Sequence, residues 1–168
     1  MNIVKKATDL ALGLGSTGNP ERRSDYAGVI LRVPVGLILA AHGAQKLFGW
    51  FGGYGLAGTG KWLASIGLEP GLLMALLAGG AEFVGGLLLI VGLLTRPAAI
   101  AIAITMLVAT ISVHIGNGLF IANNGYEYAL TLLVVAVAVA VQGAGRFALD
   151  RVLAKRLSGI GHQSRAHS

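Results

Sequence analysis

The chain has 168 residues, of which 55% are hydrophobic and only 12% are charged, and its mean hydropathy is +0.74. This balance excludes an ordinary soluble domain, and the absence of cysteine excludes disulfides, thiol exchange and thiolate-bound iron–sulfur clusters. The net charge of +6 does not indicate a nucleic-acid partner, because no basic stripe interleaved with aromatic residues occurs and most Lys and Arg lie in the terminal segments.

Polar segments are predicted to flank an apolar domain. Residues 1–25 mix charged side chains with a glycine-rich stretch, Gly13 to Pro20, that cannot sustain a long helix, so we expect a cytoplasmic N-terminal tail. They do not resemble a signal peptide, because the apolar stretch is short and contains Asp9. Residues 146–168 are expected to form a basic cytoplasmic C-terminal tail.

The domain between these tails, residues 26–145, contains long apolar segments. Each has close to the ~20 residues that a membrane-spanning helix needs. The segments lie at about 26–48, 71–94, 97–115 and 126–142. The sequence therefore predicts an all-α membrane protein, a bundle of four transmembrane helices.

The connections between the segments differ. Only Thr95 and Arg96 separate the second segment from the third, which predicts a tight hairpin. The connection 49–70 carries Trp50, Phe51, Tyr54 and Trp62, the aromatic content typical of a membrane interface, and we expect it to lie along the membrane surface.

The basic residues predict the orientation. Ten Lys and Arg lie in the two tails and the hairpin, whereas Lys46 and Lys61 are the two on the opposite side. Since cytoplasmic loops carry the excess of positive charge, both termini are predicted to be cytoplasmic.

Glu82 is the one charged residue of the second segment and lies near its middle. A charged carboxylate at the bilayer centre costs at least ~2.5 kcal/mol, so this side chain should face the interior of the bundle. It could relay a proton, bond a quinone-type head group or form one side of a buried ion pair. The structural alternative is a neutral Glu that holds a neighbouring helix.

Four further polar residues lie near the predicted outer ends of three segments. His42 and Lys46 are spaced i, i+4 on one helix face beside Gln45, while His114 closes the third segment and Glu127 opens the fourth. We expect these residues to converge at one depth. The structural alternatives are a lysine that reaches the interface, a packing histidine, and a Glu that compensates a helix dipole.

Arg32 lies inside the cytoplasmic end of the first segment and is expected to extend to the head groups. Two patterns in the connection 49–70 resemble nucleotide sites. Gly53 to Gly58 matches G-x-G-x-x-G without a preceding strand, and Gly55 to Lys61 matches G-x-x-x-x-G-K but is followed by Trp62 instead of Ser or Thr. Both are rejected as nucleotide sites.

No metal site is predicted. Haem is not favoured as a cofactor either, because two lone histidines near the surface are weak evidence for axial ligands. No self-contained catalytic motif is present, so the sequence does not decide whether the chain is itself an enzyme.

Several ordered blocks resemble the DoxX family of small bacterial membrane proteins. The blocks are His42 to Gly49, Glu82 with Gly85 and Gly86, Gly92 to Ala99, His114 after Met106, Asn124 to Tyr128, and Gly143 to Arg146. The resemblance covers the range from Ala27 to Asp150. The family's recurring polar positions match the residues already identified by the cost of placing polar side chains within a membrane: His42, Lys46, Glu82, His114 and Glu127.

The resemblance implies a four-helix inner-membrane protein linked to respiratory or redox assemblies. Relatives include subunits associated with thiosulfate:quinone oxidoreductase or a terminal oxidase, and a member associated with a superoxide dismutase and a sulfurtransferase. No catalytic mechanism is carried over from the family to this chain.

The leading hypothesis is a membrane subunit of an oxidoreductase system. In it, Glu82, His42, Lys46, His114 and Glu127 form a polar pocket for a quinone-like or small anionic ligand, and redox proteins are the expected partners. One alternative is a carrier of a proton or small solute, which uses Glu82 as its titrating group and must form a homo-oligomer. Another is a non-catalytic membrane anchor that assembles other proteins.

The charge asymmetry generates the first testable prediction. Alkaline phosphatase fused to either terminus should be inactive, and a fluorescent protein at the same positions should fluoresce, because both termini are predicted to be cytoplasmic. An active phosphatase at either end would contradict the assignment.

Overall fold

The computed structural model describes residues 3–11, 20–143 and 145–155, and every regular element in these ranges is helical. The glycine-rich part of the N-terminal tail lies largely outside the described residues. The longer α-helices in these ranges are α1 (Ile3–Ala11), α2 (Pro20–Phe48), α3 (Gly55–Ser65), α4 (Gly71–Val91), α5 (Thr95–Ala109) and α6 (Glu127–Gln142). A short helical stretch at 149–155 follows α6. The predicted all-α class is confirmed.

Within the part of the chain that the structure describes, three segments are long and apolar enough to cross a membrane: Asp25–Phe48, Gly71–Val91 and Thr95–Asn117. The fourth apolar helix, α6, is shorter, with 16 residues. Leucine, isoleucine and valine side chains on the outside of α4, α5 and α6 are largely exposed, as expected of a surface that contacts lipid instead of water. These features indicate a membrane protein, while the fourth crossing stays a prediction.

The core lies between α2, α4, α5 and α6 and consists of small and branched side chains. Its fully buried members include Leu39, Leu89, Ala99, Ile102 and Ala136. Small residues in this core let the helix backbones approach closely, which is how helices associate in lipid, where apolar burial alone supplies little driving force.

The closest approach joins α2 to α4 through glycines spaced seven residues apart on each helix: Gly36 and Gly43 on α2, and Gly79 and Gly86 on α4. A Cβ added to Gly43 would lie 2.3 Å from the backbone nitrogen of Phe83. A Cβ on Gly86 would lie 2.6 Å from the carbonyl oxygen of Gly36. Only glycine fits at this crossing.

The connection between α2 and α4 is more deeply packed than the sequence predicts. It contains α3, which buries Thr59, Gly60 and Leu63 against the bundle. The backbones of α3 and α4 meet where Gly60 faces Gly71, because a Cβ on Gly71 would clash with the carbonyl oxygen of Gly60. The connection therefore forms part of the bundle wall.

At the end of the bundle where α2 begins and α6 ends, residues 145–155 fold back over the helices. The Asp25 carboxylate accepts the backbone N–H of Arg146 at 2.8 Å, and Arg32 donates to the carbonyl oxygen of Phe147 at 2.7 Å. The expectation that Arg32 reaches the head groups is wrong, since it is only 3% exposed. Its depth along α2 could not show that a distant segment would cover it.

Asp150 fixes this covering segment to the hairpin between α4 and α5. Its carboxylate accepts the backbone N–H groups of Leu94 at 2.7 Å and Thr95 at 3.0 Å, and its own N–H donates to the carbonyl oxygen of Gly92 at 3.0 Å. Burial opposes ionisation of Asp150, but these backbone bonds and the charge of Arg32 outweigh it and hold its pKa below the ordinary value.

The lowered pKa of Asp150 predicts the sign of a pH effect. A carboxyl whose pKa is depressed in the folded state stabilises that state above its unfolded pKa, and this contribution is lost as pH falls through the folded pKa, below about 4. Protection factors of the amides at residues 92–95 and 145–155, which correct for the slower intrinsic exchange in acid, should therefore fall on acidification. In Asp150→Asn the exchange should be fast already at neutral pH. A wild-type acid response that survives in the variant would contradict this assignment.

The glycine crossing predicts a matched pair of variants on α4. Gly86→Ala should lower the free energy of unfolding by about 1–3 kcal/mol, because the new Cβ forces α2 and α4 apart. Gly80→Ala is the control, since a Cβ there meets no atom within 4 Å, and it should be neutral or slightly stabilising. Thermal unfolding in one detergent measures both, and equal midpoints would contradict the close approach.

Candidate functional site

An ion pair links α2 to α4 inside the bundle. The Nζ of Lys46 donates to Oε2 of Glu82 at 2.5 Å. Glu82 lies near the middle of α4 and is 2% exposed, while the Lys46 side chain is 30% exposed. The expectation that Glu82 faces the interior of the bundle is confirmed. A buried carboxylate without such a partner would carry the full cost of losing its water.

A cavity of about 640 Å³ lies beside this ion pair, within the usual range of small-molecule pockets. Residues of α2, α3, α4, α5 and α6 line it, together with the connection between α5 and α6. Most of the lining is apolar. The polar side chains are His42, Lys46, Thr59, Glu82, Thr105, His114, Asn124 and Tyr128.

His42 lies one helical turn before Lys46 and joins α2 to α6. Its Nε2 is 3.3 Å from the hydroxyl oxygen of Tyr128, and the centroids of the two rings are 5.8 Å apart. Tyr128 lies in the first turn of α6. This contact places an aromatic hydroxyl and an imidazole together in the cavity wall.

His114 lies at the end of a single π-helical turn, Thr110–His114, that continues α5. Such turns often occur at functional sites, because the extra residue redirects the side chains that follow. The Nδ1 of His114 is 2.8 Å from the carbonyl oxygen of Asn124. Since a carbonyl oxygen only accepts, Nδ1 carries the hydrogen, and Nε2 of the neutral ring is an acceptor.

Glu127 is the sequence-predicted site residue that does not line the cavity. Its carboxylate accepts the backbone N–H of Ile121 at 2.6 Å, and its own N–H donates to the carbonyl oxygen of Leu119 at 2.9 Å. It therefore holds the connection between α5 and α6 in place. The structure brings together the other four residues of the predicted set: His42, Lys46, Glu82 and His114.

Several residues of the cavity wall are not among the predicted site residues, and Tyr128, Trp62 and Thr59 are examples. Tyr128 was noted only as part of a family block, although its place in the first turn of α6, near Glu127, put it at the same depth as the predicted site. The sequence predicts an interfacial position for Trp62, and Thr59 lies within a rejected nucleotide pattern, but both residues lie on α3 and line the cavity. The packing of α3 was not evident from composition.

The cavity extends to the outside of the bundle between α4 and α5. Leu77 of α4 and Ile104 and Val108 of α5 belong to its lining, and all three side chains are exposed on the apolar outer surface. A ligand could therefore enter from the lipid without crossing the aqueous phase. Within the described part of the chain, no cluster of three His, Asp or Glu side chains is placed to hold a metal ion.

Comparison with known proteins identifies a family match. The family model described as DoxX matches residues 27–115, which include the four predicted site residues that line the cavity: His42, Lys46, Glu82 and His114. The match begins where the resemblance in the sequence begins but ends before the blocks at Asn124 and Gly143. No solved structure matches the chain significantly.

Three curated relatives cover most of the chain. An uncharacterized protein of Haemophilus influenzae is 33% identical over 145 residues, which cover 82% of this chain and 98% of the relative. A Bacillus subtilis protein named CatD, whose name provisionally labels it an oxidoreductase, is 32% identical and covers 76% of this chain and 87% of its own. An uncharacterized membrane protein of Mycobacterium tuberculosis is 31% identical, with coverages of 79% and 85%.

The buried ion pair predicts non-additive mutations. Lys46→Met should destabilise the protein because it leaves the Glu82 carboxyl without its cation, and Glu82→Gln should destabilise it by removing the charge that Lys46 bonds. The double variant should be more stable than the sum of the single effects, by about 0.5–3 kcal/mol.

Thermal unfolding of the four proteins measures this coupling. The matched control replaces Lys46→Met with Lys61→Met, since Lys61 is exposed on α3 and outside the cavity. Additive effects of Lys46→Met and Glu82→Gln, as expected for the control combination, would show that the pair is not energetically coupled.

Proposed function

The chain belongs to the DoxX family of membrane proteins, and from this premise we propose that it is a membrane subunit of a redox system that binds a quinone-like ligand. The observation that carries the proposal is the cavity, which joins a fixed cation and two imidazoles to the lipid-facing surface. The name of the Bacillus subtilis relative also supports an oxidoreductase association.

The proposal includes a topology of four crossings. In it α2, α4 and α5 with its continuation cross the inner membrane together with α6, and both termini are cytoplasmic. The outward-facing valines of α6, Val134, Val137 and Val141, support the fourth crossing because they are exposed and apolar. At 1.5 Å per residue α6 is about 24 Å long, slightly less than the hydrocarbon core.

The electrostatics of the cavity favour a neutral head group over a free anion. Lys46 is already neutralised by Glu82, so the pair attracts a small anion only weakly. The ammonium group still has donors to offer a quinone carbonyl, because Lys carries three N–H donors and Glu82 uses one of them. The long apolar wall suits an isoprenoid tail.

The arrangement suggests roles for the polar groups in a quinone–hydroquinone cycle. Reduction of a quinone takes up two electrons and two protons, which convert both carbonyl oxygens to hydroxyls. Lys46 would bond one oxygen and stabilise the negative charge that develops there, while Nε2 of His114 would accept from a hydroxyl at the other. One of the two protons would pass between Glu82 and the first oxygen through Lys46, and the other would pass between the second oxygen and Nε2 of His114. The electrons must come from a redox partner protein.

The chain contains two tryptophans, and this permits a direct binding test. Trp62 lines the cavity and Trp50 does not, so Trp50→Phe leaves a single fluorophore at the site. Decylubiquinone should quench this fluorescence with saturation. Trp62→Phe, which keeps Trp50, is the reciprocal control and should show only the linear quenching of partitioning into detergent.

Substitution of the site residues should weaken this binding selectively. In the Trp50→Phe background, Lys46→Met should raise the dissociation constant of decylubiquinone about tenfold or more, and His114→Ala should do the same for the reduced form, decylubiquinol, since each removes a hydrogen bond to that form. Lys61→Met is the control and should bind as the parent does. Unsaturable quenching, or equal affinity in all variants, would refute quinone binding in this cavity.

A further inference from the structure

A second concave site lies at the opposite end of the bundle from the cavity. It is a groove of about 560 Å³ between the start of α5, the end of α6 and the helical stretch 149–155. The lining includes Arg96 and Pro97 from α5, Gln142 and Gly143 at the end of α6, and Arg151 from the covering segment. The proposed function does not use this groove.

The groove is positively charged. The side chains of Arg96 and Arg151 are exposed, and neither guanidinium forms an ion pair or hydrogen bond within the described ranges 3–11, 20–143 and 145–155. Among the described residues, Asp150 is the acid that lines the groove, and its two carboxylate oxygens already accept the N–H groups of Leu94 and Thr95. Two guanidinium groups are therefore available to an anion.

The groove continues into an apolar stripe along α5. Arg96, Ile100 and Ile104 are spaced four residues apart and therefore lie on one face of the helix. Both isoleucines are more than half exposed, as is Val141 beside the groove at the end of α6. The surface thus presents cationic donors at the end of the bundle and hydrocarbon directly next to them.

We propose that this groove binds the head group of an anionic phospholipid, with Arg96 and Arg151 on the phosphodiester and an acyl chain along Ile100 and Ile104. Basic pockets between helices at the membrane surface recognise such head groups, and the planar guanidinium matches two phosphate oxygens at once. The apolar stripe distinguishes this ligand from free phosphate, which has no group to place there.

Native mass spectrometry of the full-length protein in detergent tests the proposal with two lipids and one ion. Phosphatidylglycerol should bind as one retained molecule about tenfold more tightly than phosphatidylcholine, because only the former has a net negative head group. Inorganic phosphate at millimolar concentration should not displace it. Displacement by phosphate would overturn the assignment to a lipid and leave a simple anion site.

Variants locate the site. Arg96→Gln/Arg151→Gln should abolish the preference for phosphatidylglycerol, Arg96→Lys/Arg151→Lys should keep most of it, and Lys61→Gln at the other end of the bundle should keep all of it. An unchanged preference in the double Gln variant would overturn the proposal.

Photocrosslinking needs no variant and covers the case in which the double Gln protein does not fold. A photoactivatable phosphatidylglycerol should label wild-type protein mainly within residues 94–104 and 141–154. Uniform labelling around the bundle would show an unspecific lipid annulus and would overturn the proposal.

Discussion

A carboxylate stays charged inside an apolar bundle only if a cation reaches it, and in this protein the reach is set by the crossing of α2 and α4. Gly43 lies three residues before Lys46, and Gly79 lies three residues before Glu82. The two glycines bring the backbones together one turn away from the charges, so that Nζ and Oε2 meet at 2.5 Å. A wider crossing would leave Glu82 in hydrocarbon without its partner.

The remaining helices form the cavity beside the ion pair that this crossing makes possible. Because the ion pair lies at one wall and not at the centre of the core, α3 and α6 can close around it and leave a cavity instead of filling it. Tyr128 and His42 join α6 to α2 at the rim, and the π-helical turn carries His114 into the same space. At the other end, Asp25 and Asp150 hold residues 145–155 over the buried Arg32.

The sequence predicts those features that depend on the free-energy cost of placing a charge in hydrocarbon. It misses those that depend on packing between distant segments. The apolar segments and the interior position of Glu82 follow from the cost of charge in hydrocarbon. The pairing of Glu82 with Lys46 does not follow, because position along a helix gives only the depth of the backbone, whereas a lysine side chain spans more than one helical turn. Arg32 was misplaced for a related reason: the segment that buries it lies more than a hundred residues away. Glu127 is an acidic residue at the predicted depth of the site, but its carboxylate accepts a backbone N–H of the connection between α5 and α6.

The order of the two charges along the chain has a consequence for biogenesis. Lys46 emerges from the ribosome first, at the end of its helix, where a flexible stem can keep the ammonium in the interface while no partner exists. Glu82 follows 36 residues later in the middle of α4, where insertion as an isolated helix would be costly. When α4 leaves the translocon, Lys46 on α2 has already been inserted and can pair with Glu82. The reverse order would expose the central carboxylate to lipid until its counter-ion was synthesised.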